Sequence, residues 1–301
     1  MPWKPSRSVT FHRPAHEWQR GAASARDLQC VTHLFRECGH QSLGVRVGTL
    51  SVVIPALNEA VNLPRVMATI PLAQLAEAGW ETEVIIVDNG STDGTGEIAR
   101  GLGAVVVDAP ARGYGNAYRA GFAAATGDVV ATGDADCTYP FDDLPSLLAT
   151  LTDGHLEFLT TDRLRRDNSD AMKLSHTFGN HVLSAVSRAL FRNGIRDSQS
   201  GMWVFRRYVW SHLDVASPGM AFSQEIKNAA ALAGFRYAEV PIEYRTRGGE
   251  VKLNAVRDGL GNLRQLVRHR FRRTPRRRPS ELFIDLRDES PVLRREQSGA
   301  A

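Results

Sequence analysis

Residues 50–95 read LSVVIPALNEAVNLPRVMATIPLAQLAEAGWETEVIIVDNGSTDGT, and the two apolar runs inside this stretch decide the fold class. LSVVIP (Leu50–Pro55) is closed by Pro55 and followed by helix-forming residues from about Glu59 through Leu75, a strand and then a helix. EVIIVD (Glu83–Asp88) repeats the pattern, and Asp93 or Thr95 in the following loop is placed to cap a helix near Gly96–Leu102. Outward from this stretch the alternation continues with a strand at Ala104–Asp108, a helix at Asn116–Ala125 and a fourth strand in DVVATGDAD that runs to Asp134. Strands that are apolar throughout and alternate with helices indicate a mostly parallel sheet covered by helices on both faces. Beyond Pro140 the expected order is a helix near Asp142–Leu151, a strand in HLEFLTT, a long helix near Met172–Phe191, a helix at Phe222–Ala233 and a strand in FRYAEVPIEY.

Composition bounds the rest. A chain of 301 residues, 43% hydrophobic and 23% charged, is long enough for a sizeable core, which excludes a disordered or fibrous protein. No apolar run approaches the roughly 18 residues of a membrane-spanning helix. The N-terminal residues have positive charge without an apolar region behind it, so a cytosolic location is expected. Cys30, Cys38 and Cys137 are too few for a disulfide framework. Residues 1–48 show no sustained period and are expected to lie outside the fold. Their Cys30, His33, Cys38 and His40 match no usual zinc spacing and read as an accidental cluster. The net charge of +4 is unevenly spread: Leu50–Val256 holds 18 Lys and Arg against 24 Asp and Glu, whereas Arg257–Arg278 holds nine Arg and one Asp. An acidic middle argues against nucleic acid across the main domain, and a basic tail suits phosphates.

Ligands of open parallel sheets bind beyond the carboxyl ends of the strands. Pro55, Asn58 and Glu59 follow the first strand, Asp88 and Asn89 the second, and Asp134 and Asp136 the fourth. The only glycine-rich candidate for a dinucleotide site, Gly113–Tyr118, lacks a third glycine and follows the third strand, and neither a phosphate-binding P-loop nor a G-x-S-x-G elbow occurs. Asp134 and Asp136, one residue apart at an extended strand end, would point the same way and reach one Mg²⁺ or Mn²⁺; the competing reading is an Asx turn.

VVIPALNEAVNL, VDNGSTDGT, RGYGNAYRAG, GDADCTYP, DSQSGMWVFRR and YRTRGGEVKL, in this order, resemble family 2 glycosyltransferases of the GT-A fold, and most of all polyprenyl-phosphate (dolichol-phosphate) mannosyl- or glucosyltransferases. The resemblance spans about residues 50–265 and implies a Rossmann-related, single-domain α/β fold. It places the nucleotide of a GDP- or UDP-sugar against Pro55, Asn58, Glu59 and Asp88, with the metal on Asp134 and Asp136. By the same resemblance Arg247 and Lys252 hold the diphosphate and the acceptor phosphate. Asp197, Gln199, Ser200 and Gly201 lie beneath the sugar, and Arg163 serves the acceptor. Thr138 and Val251 depart from the family pattern, which has Gln and Ser there. The expected activity is inverting sugar transfer to a polyprenyl phosphate at the cytoplasmic membrane surface, with Glu225 as a base if the acceptor is instead a hydroxyl. The alternatives are a soluble transferase acting on a small hydroxy or phosphorylated acceptor or a cell-envelope glycan, and a non-catalytic nucleotide-sugar or RNA-binding protein.

The last segment offers a route to the membrane. Val256, Leu260, Leu263, Val267 and Phe271 recur at helical spacing among arginines, a pattern for surface docking, against which stands the reading that Val256–Val267 packs on the domain. The expected divisions are 49–256 for the catalytic domain, 257–278 for the basic amphipathic segment and 279–301 for a tail.

Overall fold

The computed structural model describes residues 48–109, 111–164, 168, 174–248, 255–271 and 283–285. The Cys30, His33, Cys38 and His40 group and Lys252 lie outside them.

Strands β1 (Gly48–Ala56), β2 (Trp80–Asp88), β3 (Val105–Asp108), β4 (Val129–Thr132), β5 (Phe158–Asp162), β6 (Trp203–Arg206), β7 (Tyr237–Pro241) and β8 (Phe283–Asp285) form one sheet in the order β3-β2-β1-β4-β6-β5-β7-β8. The pairs β1–β2, β1–β4, β2–β3, β5–β7 and β7–β8 are parallel, and β6 alone is antiparallel to its neighbours β4 and β5. The helices are α1 (Leu63–Thr69), α2 (Leu72–Glu77), α3 (Thr95–Gly101), α4 (Tyr114–Ala124), α5 (Leu144–Asp153), α6 (Leu174–Phe191), α7 (Arg207–Trp210), α8 (Phe222–Ala233) and α9 (Ala255–Arg270).

Alternation along the central strands divides the core into two layers. Val52 and Ile54 of β1 and Val84 and Ile86 of β2 face a layer with Leu63, Met67, Leu147 and Leu148 from α1 and α5. Val53, Ile85 and Val87 face the opposite layer, built from Tyr118 and Phe122 of α4, Trp203 and Phe205 of β6 and Phe222 of α8. Because both faces are covered, Val52–Ile54 of β1 and Val84–Val87 of β2 are apolar at every position, which is why they read as continuous runs.

Four expectations are corrected. The helix expected over Glu59–Leu75 is two helices, because Pro71 forces Ile70 to an extended ψ of 115°. The fourth strand ends at Thr132, and Asp134 and Asp136 lie in the turn beyond it, with Cys137 at φ 68°. Strand β6 was not anticipated, since it inserts antiparallel between β4 and β5, outside the strand–helix alternation that marks the others. Residues 257–270, assigned from sequence to a separate basic segment, belong to α9, which packs on α6 and α8, and β8 falls within the stretch read as a tail.

Helix α4 lies close on the sheet at Gly121, where a Cβ would overlap Val53 Cγ1 and come within 2.8 Å of Val87 Cγ2. Gly121→Val is therefore expected to destabilise the fold by about 1–3 kcal/mol through overpacking, measured by denaturant unfolding. Gly101→Ala, with no atom within 4 Å of its new Cβ, should cost nothing.

Candidate active site

A cleft of about 310 Å³ opens beyond the carboxyl ends of β1, β2 and β4, at the point where the chain passes to either side of β1. Its walls include Pro55, Glu59 and Asn89 from the β1 and β2 ends, Arg112–Tyr114 before and at the start of α4, and Asp134, Ala135 and Asp136 after β4. Arg163, Gln199, Met220, Tyr244 and Arg247 complete it.

The carboxylate pair owes its position to hydrogen bonds in a turn. Asp136 is buried, and its Oδ1 accepts from the Thr138 hydroxyl at 2.6 Å and the Thr138 N–H at 3.1 Å, an Asx-type turn. Its Oδ2 lies 3.2 Å from Arg247 Nη1. The Arg247 segment is laid alongside by two backbone bonds, Arg245 N–H to Thr138 C=O and Gly248 N–H to Asp136 C=O, both 2.9 Å. Asn62 adds a brace, donating to Glu59 Oε2 at 2.6 Å and to the Gly248 carbonyl at 2.8 Å. Asp134 accepts from the Tyr114 hydroxyl at 3.0 Å. Burial, reinforced by the charge of Asp136, pushes the Asp134 pKa up to about 7. Two hard carboxylates in such mutual repulsion are a donor set that a dication relieves, so Asp134 and Asp136 fit Mg²⁺ or Mn²⁺. Among the described residues no cluster of three or more His, Cys, Asp or Glu is arranged to hold a metal, so further ligands would come from water and substrate oxygens, the usual coordination for Mg²⁺.

Beneath the cleft lies a buried ionic network. Asp197, with no exposed surface, accepts from Arg163 Nε at 2.7 Å, Nη2 at 3.1 Å and the backbone N–H at 3.1 Å. Burial works against the Asp197 charge, but the Arg163 guanidinium outweighs it and holds the carboxyl below its ordinary range. The guanidinium also sits 5.1 Å from the centre of the Tyr244 ring. Lys227 of α8, likewise buried, donates to the Asp197 carbonyl at 2.6 Å, and burial pulls its pKa down to about 8. Glu239 of β7 accepts from the Arg196 and Asp197 N–H groups at 2.7 and 3.0 Å.

A ladder of amides ties the cleft to the last helix. Asn262 of α9 donates to Gln199 Oε1 at 2.9 Å, Gln199 Nε2 donates to Gln224 Oε1 at 2.8 Å, and Gln224 Nε2 donates to the Asn262 carbonyl at 2.7 Å.

Of the residues singled out from sequence, Pro55, Glu59, Asp134, Asp136, Arg163, Gln199 and Arg247 come together on the cleft wall. Asn58, Asp88, Asp197 and Ser200 are not among its lining residues. Asn58 adopts a left-handed φ of 53° and turns its Oδ1 to the Thr92 N–H at 2.8 Å, while Asp88 Oδ1 accepts from the Ser91 N–H at 2.8 Å. Both brace the loop between β2 and α3. Asp197 holds Arg163 from behind, and Ser200 shares a buried 2.7 Å hydroxyl bond with Thr161. Glu225 accepts from the Ser217 N–H at 2.7 Å and the Ala216 N–H at 3.2 Å and is not a lining residue. Sequence reasoning missed Arg112, Tyr114, Tyr139 and Tyr244. Each nevertheless lies in a segment that carries the family resemblance, Arg112 and Tyr114 in RGYGNAYRAG, Tyr139 in GDADCTYP and Tyr244 in YRTRGGEVKL.

Residues 51–213 match the family model described as glycosyl transferase family 2. The chain belongs to that family. The family 2 glycosyltransferase is 34% identical, over 84% of its length, to the low-salt glycan biosynthesis hexosyltransferase Agl6 of Haloferax volcanii, and it spans 62% of that relative. It is 33% identical to the dolichyl-phosphate hexose transferase of the same organism, over 73% of this chain and 92% of the relative. Glucosyl-3-phosphoglycerate synthase from Mycobacterium tuberculosis shares the fold, with a TM-score of 0.59 at 23% identity over 85% of this chain and 88% of that one. The same synthase in complex with Mn²⁺, UDP-glucose and phosphoglyceric acid gives a TM-score of 0.57 at 21% identity, over 85% and 87% of the two chains. This likeness identifies the fold as GT-A.

Removing one member of a buried ion pair leaves the other uncompensated. Asp197→Ala should destabilise the folded protein by about 3–5 kcal/mol in denaturant unfolding, and the double change Asp197→Leu, Arg163→Met should recover part of that loss.

Proposed function

We propose that the enzyme transfers a hexose, mannose or glucose, with inversion from a GDP- or UDP-sugar to a polyprenyl phosphate held at the cytoplasmic face of a membrane. The observation that carries this reading is the convergence of Asp134 and Asp136 with Arg163 and Arg247 in one cleft whose described lining includes no histidine. Such a site suits an acceptor that is already an anion. A phosphate monoester, with its second pKa near 6, is a nucleophile at neutral pH and needs cations more than a base. Among the described residues Arg247 Nε is buried without a hydrogen-bond partner, a desolvated donor suited to a phosphate oxygen.

In this reading Asp134 and Asp136 would hold Mg²⁺ or Mn²⁺, which when bound would supply positive charge against the donor diphosphate. Arg247 neutralises part of the same charge, and Arg163, fixed in one orientation by Asp197, faces the acceptor phosphate. Pro55, Glu59, Asn89 and Arg112 bound the nucleotide end of the cleft. Gln199 lies under the sugar, with Asp197 and Ser200 behind it, while Asn58 and Asp88 act on the donor through the loop they brace. Lys252 is assigned to the phosphates from the family pattern alone.

The name of the dolichyl-phosphate hexose transferase relative supports the lipid acceptor, and the complex of the phosphoglycerate-acting neighbour supports a divalent metal and a uridine donor. The test is incubation with radiolabelled GDP- and UDP-sugars, Mn²⁺ and polyprenyl phosphate, followed by organic extraction, with phosphoglycerate as the competing acceptor. Label in the organic phase supports the reading; label on phosphoglycerate alone overturns it.

Two outcomes follow. Asp136→Asn, nearly isosteric at a buried position, should lower kcat by about 100-fold or more with little change in unfolding midpoint, and EDTA should abolish turnover of the unaltered enzyme until Mn²⁺ is restored. Arg247→Ala should cost about 100-fold in rate, whereas Glu225→Gln should act on stability, because its carboxylate serves two backbone N–H groups and no substrate.

A further inference from the structure

Helix α9 has two unlike faces. Asn262, Leu266 and His269 are buried: Leu266 clusters with Leu183 and Phe191 of α6 and Leu232 of α8, and the His269 ring lies 5.1 Å from that of Phe191. The other face is apolar yet uncovered, with Leu260 65%, Val267 45% and Phe271 76% exposed and Leu263 beside them. Helix α6, packed alongside, adds Phe178 at 72% and Val182 at 45%. These six are two thirds of the nine large apolar side chains exposed among the described residues, so the exposure is concentrated on two adjoining helices.

The charge on these helices is one-sided. Residues 174–191 contain no Asp or Glu, and residues 255–271 contain a single one, Asp258, in a domain that is otherwise acidic. Arg264 and Arg268 are exposed between the apolar positions of α9. Interleaved large apolar and arginine side chains match the boundary of an anionic bilayer, where rings and aliphatic chains enter the acyl region and guanidinium groups meet headgroup phosphates. The reading in which Val256–Val267 packs on the domain holds for Asn262 and Leu266 and fails for Leu260, Leu263 and Val267.

The buried face of α9 reaches the cleft wall, so the exposed face is one helix thickness away from it. Asn262, between Leu260 and Leu263 in sequence but on the buried side of the helix, donates to Gln199 on the cleft wall. Asn168, shortly before α6, donates to the Arg163 carbonyl at 2.9 Å. Arg270 Nε in turn donates to the Leu190 carbonyl at 2.7 Å, which brings the far ends of the two helices together. Helix α9 is therefore tied to the cleft wall through Asn262 and to the end of α6 through Arg270.

We propose that the outer faces of α6 and α9, centred on Phe178, Val182, Leu260, Leu263, Val267 and Phe271, form one docking surface for an anionic lipid bilayer, which sets the cleft at the headgroup plane. The purpose of this surface rests on the reading of a lipid phosphate acceptor; its existence is measured without any acceptor. The full chain is sedimented with phosphatidylglycerol-containing vesicles and with neutral phosphatidylcholine vesicles. It should bind the former, less so as salt rises, and Phe178→Glu with Leu260→Glu should weaken binding by about tenfold or more. Arg264→Gln with Arg268→Gln, which leaves the apolar surface intact, should reduce binding and its salt dependence. Both pairs of changes lie at exposed positions and should leave transfer to a short-chain, water-soluble prenyl phosphate within about twofold of the unaltered enzyme, because neither touches the cleft. Equal binding to neutral and anionic vesicles, unchanged binding by the doubly substituted proteins, or loss of a dimer in light scattering with vesicle binding intact would each overturn the surface. Vesicle binding without transfer to any prenyl phosphate would instead overturn the acceptor and leave the surface standing.

Discussion

A guanidinium buried under a polar cleft has to be neutralised where it stands, and much of the carboxyl end of this sheet is organised around that requirement. Arg163 follows β5 and Asp197 precedes β6, two strands that pair antiparallel, so the sheet itself brings the ions within 2.7 Å. Taking both charges out of water costs several kcal/mol per ion, and geometry this close is what offsets it. Each further polar atom then needs its own partner. Lys227 answers the Asp197 carbonyl, Glu239 the Asp197 N–H, Tyr244 the guanidinium face and Asn168 the Arg163 carbonyl. The outcome is a cation presented to the cleft in one orientation, which a surface arginine on a flexible stem would not provide.

The opposite wall solves the converse problem, two carboxylates brought close without a neutralising partner for each. Asp136 spends one oxygen on Thr138 and the other on Arg247, whereas Asp134 has the Tyr114 hydroxyl and is left with its pKa raised to about 7. Thr138 stands where the family pattern has a Gln, and its short side chain closes an Asx turn that fixes the Asp136 carboxylate. The amide ladder from Gln199 to Asn262 joins these walls to a helix whose other side meets solvent with an apolar and basic face, so residues 255–270, four of them arginine, are part of the domain that forms the cleft.

Much of the first half was legible because local physics and tertiary structure agree there. Val52–Ile54 and Val84–Val87 are apolar on both faces, a pattern that only a doubly covered strand satisfies, and Pro55 and the NGSTDGT loop mark the strand ends. Helix α8 was legible over Phe222–Ala233 because Gly234, at φ 87°, ends it with the residue that conformation favours. Pro71 is likewise visible in the sequence, and it separates α1 from α2. The pairing of β6 against β4 and β5 was not legible, because antiparallel insertion depends on partners far along the chain.

By itself the sequence determined the alternation of strands and helices, hence the fold class, and the location of polar residues at strand ends, hence where a site would form. It also determined the acidic domain and arginine-rich end. Only the tertiary structure decided which of those polar residues face the cleft. Asn58, Asp88 and Asp197 carry the right chemistry, yet their side chains are turned to the Thr92 N–H, the Ser91 N–H and Arg163. It likewise decided that Leu260 and Val267 stay uncovered while Leu266 is buried. The physical reason is common to both. Residue type limits what a side chain is able to bond, but which donor or apolar neighbour it meets depends on segments brought together across the chain.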